Sequence, residues 1–252
     1  MIPTVDKITV NKESFSKVFD KAVRDGKSCG PDNVSATDLL KKSVETGSFP
    51  SDWKKAKVTC VYKKGSKKCC SNYRPISLLS IPRKVVKRYI FSILKTHLDS
   101  FNLLSEYQWG FRKHSSTEDL LLNMTERWRH AIDNGKSVVV LFIDFQKAFD
   151  SVSHPILLRK LAACGISGEL LEYLGSYLSG RKQFTVVNGE HSQLQNICYG
   201  VPQGSFLGPD CFSINVNDMS SKVCNNDGNS EVDLFADARA YYGMGSLSLI
   251  HI

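Results

Sequence analysis

Residues 137–150 read SVVVLFIDFQKAFD, an apolar run that ends on the carboxylate of Asp144. Continuous apolar and β-branched residues over 137–143 predict a strand buried on both faces. A carboxylate at the end of such a strand is costly unless it is solvated, paired or bound to a metal. Asp237 has a similar position after the strand-like segment 232–236. If these strands are neighbours, the two acids can share Mg²⁺, which prefers oxygen ligands, although each acid alone is more typical of a turn or a helix cap.

Helical and strand patterns alternate along the rest of the chain, without internal repeats. Helices are predicted at 11–25, at 34–45, from Pro82 onward, from a capping box at Ser115 and Glu118 to Ile132, in two segments between Ser153 and Ser179, and at 205–217. Strands are predicted at 58–62, 137–143, 232–235 and in a hairpin over 182–198 that turns at Asn188-Gly189. This alternation predicts an α/β (α+β) layer structure, and no linker rich in Gly, Ser or Pro marks a second domain.

The net charge of +8 is unevenly distributed over the 252 residues. Residues 53–98 contain thirteen Lys or Arg residues and no acidic residue. Such a surface attracts phosphate backbones, because each neutralised phosphate releases condensed counterions. A solvated basic face without a partner is the alternative, but over so long a stretch we favour a polyanion partner.

The cysteines and the hydropathy of the sequence indicate where the protein is located and whether it crosses a membrane. The eight cysteines form no Cys-x-x-Cys pair, which is typical of reduced thiols in an intracellular protein. Residues 1–17 lack the apolar stretch of a signal peptide, and no apolar run is long enough to cross a membrane. We therefore expect a protein that is neither secreted nor membrane-spanning.

Six blocks along the chain carry a family resemblance. They are NYRPISLL (72–79), QWGFR (108–112) with SST (115–117), FIDFQKAFD (142–150), SYLSGRKQ (176–183) with VNG (187–189), GVPQGS (200–205) with LGP (207–209), and LFAD (234–237). In this order and at this spacing they resemble the reverse transcriptases of non-LTR (LINE-type) retrotransposons. The resemblance implies a right-hand polymerase fold with fingers and palm, which copies an RNA template from a DNA primer using deoxynucleoside triphosphates.

The resemblance also implies roles for individual residues. Asp144 and Asp237, joined by the backbone carbonyl of Phe145, would be ligands of two Mg²⁺ ions. Phe149 would be the steric gate whose ring excludes a ribonucleotide 2′-hydroxyl, and it can equally be a core aromatic. Gln203 and Gly204 would lie against the incoming nucleotide and the templating base, although an ordinary helix-entry turn suits them as well.

Basic residues complete the implied site. Arg74 would contact the triphosphate, because guanidinium geometry suits bidentate phosphate binding, and Lys63 or Lys64 would assist it. For the two lysines, nonspecific attraction to a phosphate backbone is an equal alternative. Arg112 would contact the template strand, with an ordinary surface arginine as the alternative. Tyr73 and Trp109 have no assignable partner and are interpreted as packing residues.

The chain departs from the family pattern after Asp237, where the second Asp of the motif is replaced by Ala238, followed by Arg239. Loss of an oxygen ligand and a nearby cation would both weaken Mg²⁺ binding, so we expect an impaired enzyme. One alternative is a relic that binds RNA without chemistry. An RNA-dependent RNA polymerase is a third hypothesis, which Phe149 and the KAFD and PQG blocks disfavour.

Three regions are expected along the chain. Residues 1–45 would form an N-terminal helical extension of the fingers, and 46–246 the fingers and palm, without a thumb. Residues 247–252 (LSLIHI) match what a transposase-adapter sequence encodes in one frame, so we interpret them as a non-native tail of a truncated copy.

Overall fold

The computed structural model describes residues 2–6, 43, 46, 48–78, 81–112, 115–201, 207–220, 230–236 and 238–245, with the backbone alone at 81–86. The chain forms two compact units, a first unit from Met1–Phe101 and Phe149–Gly208 and a second unit from Asn102–Ala148 and Pro209–Ile252. The predicted helices at 11–25 and 34–45 lie outside the described residues, except that residue 43 is helical, and so does the expected tail at 247–252.

Helices and strands alternate as the sequence predicts. The described strands are β1 (Lys55–Tyr62), β2 (Tyr73–Leu78), β3 (Ser137–Asp144), β4 (Arg181–Val187), β5 (Glu190–His191), β6 (Gln195–Ile197), β7 (Ser230–Phe235) and β8 (Ala238–Gly245). The described α-helices are α1 (Ile81–Ser100), α2 (Thr117–Asp133), α3 (His154–Ala163), α4 (Gly168–Leu178) and α5 (Leu207–Val216). The α/β character is therefore confirmed. None of these described helices is long and apolar enough to cross a membrane.

The first unit contains a mixed sheet in the order β2-β1-β4-β5, with β6 also paired to β4. Strand β1 is antiparallel to β2 and parallel to β4. Its side chains alternate, because Ala56 and Val58 are buried while Lys55 and Lys57 are exposed. One face of this sheet therefore turns towards the core, and the other presents lysines to solvent.

Helix α4 supplies much of the core of the first unit. It buries an apolar face formed by Leu170, Tyr173, Leu174, Tyr177 and Leu178. Phe49 meets the rings of Tyr173 and Tyr177 edge-on, at centroid distances of 6.1 and 5.2 Å. Elsewhere in the unit, Asn188 and Gly189 have positive φ angles of 50° and 87°, which is the geometry of a tight hairpin turn, and the predicted Asn-Gly turn is confirmed.

The second unit contains an antiparallel sheet in the order β3-β8-β7. Helix α2 packs on it through Leu120 and Met124, which lie in one buried cluster with Ala240 and Tyr242. The helix begins one residue later than predicted. Its capping box joins Ser116 and Asp119, because the Ser116 hydroxyl accepts from the Asp119 amide at 3.0 Å and the Asp119 carboxylate accepts from the Ser116 amide at 3.1 Å.

The prediction that 137–143 is buried on both faces was wrong. Strand β3 is an edge strand of the described sheet, and its second half is exposed, with Leu141 and Phe142 at 50% and 68%. A continuous apolar run does not distinguish an edge strand from a central one, because that difference depends on pairing and not on local composition. The two strands that precede Asp144 and Asp237 in the sequence are not adjacent, since β8 lies between β3 and β7.

Candidate active site

Asp144 ends β3 and lies directly opposite Ala238, the first residue of β8. Directly opposed residues of an antiparallel pair point to the same face of the sheet, with Cβ atoms about 4.5–5.5 Å apart. Both side chains are exposed. Within the described part of the chain the Asp144 carboxylate has no hydrogen bond or ion pair, so its oxygens are available to a ligand.

Arg239 lies on the other face of the same sheet. It is paired with Ile143, one position before Asp144, so its side chain points away from the Asp144–Ala238 pair. Its guanidinium carbon lies 3.6 Å from the centroid of the Phe145 ring, and the side chain is buried. The cation that the sequence places beside the predicted metal site is therefore directed into a stacking contact on the opposite face.

Three predicted site residues lie outside the described residues: Asp237, Gln203 and Gly204. The flanking backbone is described. Phe235 pairs with Ala238, and Ala236 has a positive φ of 55°, so β7 and β8 are joined by a short connection that includes position 237. The predicted roles of these three residues stay predictions.

Phe149 lies in a 3₁₀ turn, Ala148–Ser151, and is half-buried. Its carbonyl accepts a hydrogen bond from the amide of Val201 at 2.8 Å, and the amide of Gly200 donates to the carbonyl of Val152 at 2.7 Å. The candidate gate is thus joined through its backbone to the segment that leads into residues 203–204. A half-buried ring fits both interpretations of Phe149, gate and packed aromatic.

Gly200 is required at this junction. Its φ is +84°, and a Cβ built on it would lie 2.7–2.9 Å from the Cα, C and O atoms of Asp150. His154 adds a side-chain contact, because its Nε2 lies 2.8 Å from the Gly200 carbonyl oxygen in a buried position. The sequence showed Gly200 as part of a motif, but only the backbone contact explains why that position excludes a side chain.

Arg74 and Lys63 share one face of the β1–β2 hairpin. Arg74 is directly opposite Val61, and the ladder continues through the Lys63 amide, which donates to the Asn72 carbonyl at 2.8 Å. Lys63 lies two residues after Val61, so it falls on the same face as Arg74. By the same alternation, and through the pairing of Lys55 with Lys182 on β4, this face carries five exposed cations, which we call the basic face: Lys55, Lys57, Lys63, Arg74 and Lys182.

The basic loop between these strands is held by polar contacts that the sequence did not reveal. Tyr73 Oη donates to the Lys67 carbonyl at 2.8 Å, and Asn72 Nδ2 donates to the Ser66 carbonyl at 2.9 Å. Tyr62 Oη donates to the Gly65 carbonyl at 2.5 Å. Tyr73 therefore orders the loop that carries Lys63 and Lys64. A Tyr or Asn beside a loop that contains Gly and Ser is the sequence signal that could have indicated such loop contacts.

Arg112 is half-buried in the second unit, where its Nη1 donates to the Ser105 carbonyl at 2.9 Å. Trp109, interpreted from sequence as a packing residue, does pack against the α2–β8 cluster, but its Nε1 also donates to Asp233 Oδ1 at 2.9 Å. Among the described residues no group of three His, Cys, Asp or Glu side chains is arranged to hold a metal ion.

Comparison with known proteins places these features in a family. Residues 61–241 match the family model for reverse transcriptase (RNA-dependent DNA polymerase). The chain belongs to the reverse transcriptase family. Members of this family generally use divalent metal ions and bind a nucleic-acid template, and the family matched is that of RNA-dependent DNA polymerases.

Several reverse transcriptases of similar sequence belong to mobile elements. The chain is 34% identical over 182 residues to the RNA-directed DNA polymerase from mobile element jockey of Drosophila melanogaster, covering 72% of this chain and 20% of that protein. It is 34% identical over 172 residues to the probable RNA-directed DNA polymerase from transposon BS of the same species, covering 68% and 19%. The predicted non-LTR retrotransposon type is confirmed. The chain spans about a fifth of the length of these relatives.

Solved structures support the reverse transcriptase fold. Telomerase from Candida Tropicalis in complex with a TWJ fragment of telomeric RNA aligns with a TM-score of 0.56 and 12% identity, covering 82% of this chain and 39% of that one. Apo telomerase from the same species, truncated from the C-terminal domain, gives a TM-score of 0.54 and 13% identity, covering 76% and 44%. At such low identity the likeness shows the fold alone.

Proposed function

We propose that this chain performs RNA-templated DNA synthesis as the fingers and palm of a non-LTR retrotransposon reverse transcriptase. In this reaction the 3′-hydroxyl of a DNA primer attacks the α-phosphate of a deoxynucleoside triphosphate, and pyrophosphate leaves in line. The observation that carries the proposal is Asp144, an exposed carboxylate at the end of β3 without an ion pair in the described part of the chain. An acid left free in this way is suited to binding a cation.

The proposed metal ligands are Asp144, Asp237 and the backbone carbonyl of Phe145. They fit Mg²⁺ because all three supply hard oxygen atoms, and the Asp144 oxygens face solvent. Two bound ions would lower the pKa of the primer hydroxyl and neutralise charge on the leaving pyrophosphate. Ala238 offers no oxygen opposite Asp144, so we propose that this chain binds the ions weakly and reacts slowly.

The triphosphate is proposed to bind to Arg74 with help from Lys63. Both are exposed on the basic face, and neither has an ion pair within the described residues. The shared face favours Lys63 over Lys64, between which the sequence did not choose. The ordered loop limits the conformational entropy that phosphate binding would otherwise cost.

The remaining proposed contacts discriminate between substrates and hold the template. The Phe149 ring would exclude the ribonucleotide 2′-hydroxyl, with Gln203 and Gly204 against the base pair being formed. Arg112 would contact the template strand through the guanidinium N–H groups that do not donate to the Ser105 carbonyl.

Primer extension on an RNA template tests the proposal. The original chain, Ala238→Asp, and Asp144→Asn in both backgrounds would be compared with Mg²⁺ and each class of nucleotide. We expect weak extension by the original chain, more by Ala238→Asp, and none by either Asp144→Asn variant. Extension that survives Asp144→Asn, or its absence in both the original chain and Ala238→Asp, would contradict the proposed chemistry.

A second candidate function, RNA binding without synthesis, is favoured by the basic face together with Ala238. Lys57→Ala combined with Lys63→Ala should weaken RNA binding and reduce the slope of log affinity against log salt by about 0.7 for each phosphate that is no longer neutralised. Arg129→Ala is the control, because Arg129 is exposed on α2 and already paired with Glu126 and Asp133. Salt-dependent RNA binding without extension in any variant would select this second function.

A further inference from the structure

A network of hydrogen-bonded polar side chains joins the β7–β8 hairpin to Trp109 and Arg127. Trp109 Nε1 donates to Asp233 Oδ1 at 2.9 Å, and Tyr242 Oη donates to Asp233 Oδ2 at 2.8 Å. Arg127 pairs with Glu231 and donates to Tyr242 Oη at 3.1 Å. Both oxygens of the Asp233 carboxylate are thus engaged, on a side chain that is only 2% exposed.

The hydroxyl of Tyr242 keeps its proton in this setting. Burial raises its pKa, and the adjacent Asp233 and Glu231 raise it further. The Tyr242 hydroxyl has one proton and lies near both Asp233 and Glu231. Because Glu231 is already paired with Arg127 and the contact to Asp233 is the shorter one, Tyr242 donates to Asp233. The Trp109 indole supplies the second donor that Asp233 needs, because a buried carboxylate oxygen without a donor is costly.

The backbone around Trp109 runs alongside β7 up to the end of that strand. The Trp109 amide donates to the Leu234 carbonyl, and the Leu234 amide donates to the Tyr107 carbonyl, both at 2.8 Å. Gly110 then meets Ala236 so closely that a Cβ at position 110 would lie 2.3 Å from the Ala236 nitrogen. The segment 107–110 therefore supports the hairpin as far as the residue that precedes Asp237.

We propose that Trp109 is a positioning residue, which fixes the β7–β8 hairpin through its hydrogen bond to Asp233 and thereby holds the end of the hairpin that pairs with Asp144. The proposal rests on the metal-binding role proposed above for Asp144. Phe235 pairs with Ala238, and Ala238 pairs with Asp144, so this end of the hairpin lies beside the proposed metal ligand. Trp109 contacts β7 from the side, through both its backbone and its indole.

Trp128 provides a matched control. It packs against the same cluster of Leu120, Met124, Ala240 and Tyr242 as Trp109 does, and its ring meets the Tyr242 ring edge-on at 5.9 Å. Its Nε1, however, has no hydrogen-bond partner in the described structure. Replacement by Phe removes similar indole volume at both positions, but only at position 109 does it remove a hydrogen bond to the hairpin.

The test compares Trp109→Phe and Trp128→Phe in the full chain. Amide hydrogen exchange would be followed by mass spectrometry on peptides covering 230–245, with a peptide covering 168–178 as reference for global opening. In the same proteins, Mn²⁺ affinity would be measured by electron paramagnetic resonance with the metal alone. We expect exchange of the hairpin to be roughly tenfold faster in Trp109→Phe, with weaker Mn²⁺ binding, and both to stay at the original level in Trp128→Phe.

Equal acceleration in the two variants, or none in Trp109→Phe, would overturn the proposal, and so would a loosened hairpin with unchanged Mn²⁺ affinity. If the original chain binds no Mn²⁺, the proposed metal site fails, and the exchange data alone then decide whether Trp109 holds the hairpin. Should Trp109→Phe fail to fold, Gly110→Ala replaces it. Its added Cβ must displace Ala236, so faster exchange confined to 230–245 supports the proposal and unchanged exchange overturns it.

Discussion

Asp144 and Ala238 face each other directly across the β3–β8 ladder, on one face of the sheet of the second unit. The second Asp of the family's motif would stand at position 238, so the register identifies the side chain that would complete the group around Asp144. An acid at position 238 would also lower the stability of the strand pair, because two carboxylates directly opposite each other repel.

Ala238→Asp is expected to lower the melting temperature in EDTA and raise it in Mg²⁺. A like-charge cross-strand pair costs about 0.2–1 kcal/mol, whereas an ion bound at a hundred times its Kd stabilises the fold by about 2.7 kcal/mol. Ala238→Asn is the control, since it adds similar volume without charge. A Mg²⁺-dependent rise no larger in Ala238→Asp than in Ala238→Asn would show that the two positions do not form a metal site.

Arg239→Gln is expected to leave divalent-metal affinity within about twofold of the original, because Arg239 faces away from Asp144 and solvent screens charges around an exposed carboxylate. The sequence alone predicts the opposite, namely tighter binding once the cation is removed. Mn²⁺ titration of Arg239→Gln, in the original and the Ala238→Asp backgrounds, distinguishes the two. A several-fold gain in affinity would mean that the arginine does act on the site.

Gly200→Ala is expected to destabilise the protein more than Gly189→Ala. Both glycines have left-handed φ angles, and that conformation costs a non-glycine residue about 1–2 kcal/mol. Only at Gly200 would the Cβ also meet backbone atoms, those of Asp150 at 2.7–2.9 Å, whereas nothing lies within 4 Å at Gly189. Urea unfolding of both variants tests this, and equal losses would show that the junction next to Phe149 can relax.

The stability of the protein is expected to fall between about pH 10 and 12 through Tyr173. Burial raises the pKa of this hydroxyl to about 12, while its ordinary value in an unfolded chain is about 10. The folded state therefore keeps the proton longer, so this contribution is intact below pH 10 and is lost by pH 12, at about 1.4 kcal/mol per pH unit. Unfolding free energies measured across this range should fall less steeply in Tyr173→Phe, and parallel curves would refute the assignment.

Phe149→Ala, in an Ala238→Asp background that extends primers, is expected to raise the use of ribonucleotides relative to deoxynucleotides by about 10- to 100-fold. Removal of the ring opens space where a 2′-hydroxyl would clash. Ratios of kcat/KM for the two nucleotide classes measure the effect. An unchanged ratio would leave Phe149 as a packed aromatic only.

Short-range sequence patterns were enough to predict several secondary-structure elements of this protein and its family. The helix beginning near Ser116, the Asn188-Gly189 turn, the strand ending at Asp144 and the family itself all follow from short-range patterns, because capping, turn geometry and motif spacing are properties of neighbouring residues. Pairing partners are not such a property. Only the tertiary structure decided that β3 is an edge strand, that Ala238 opposes Asp144, that Arg239 stacks on Phe145 on the other face, and that Trp109 donates to Asp233. Each of these depends on strand order and register between distant segments, and one residue of slip would move every side chain to the opposite face.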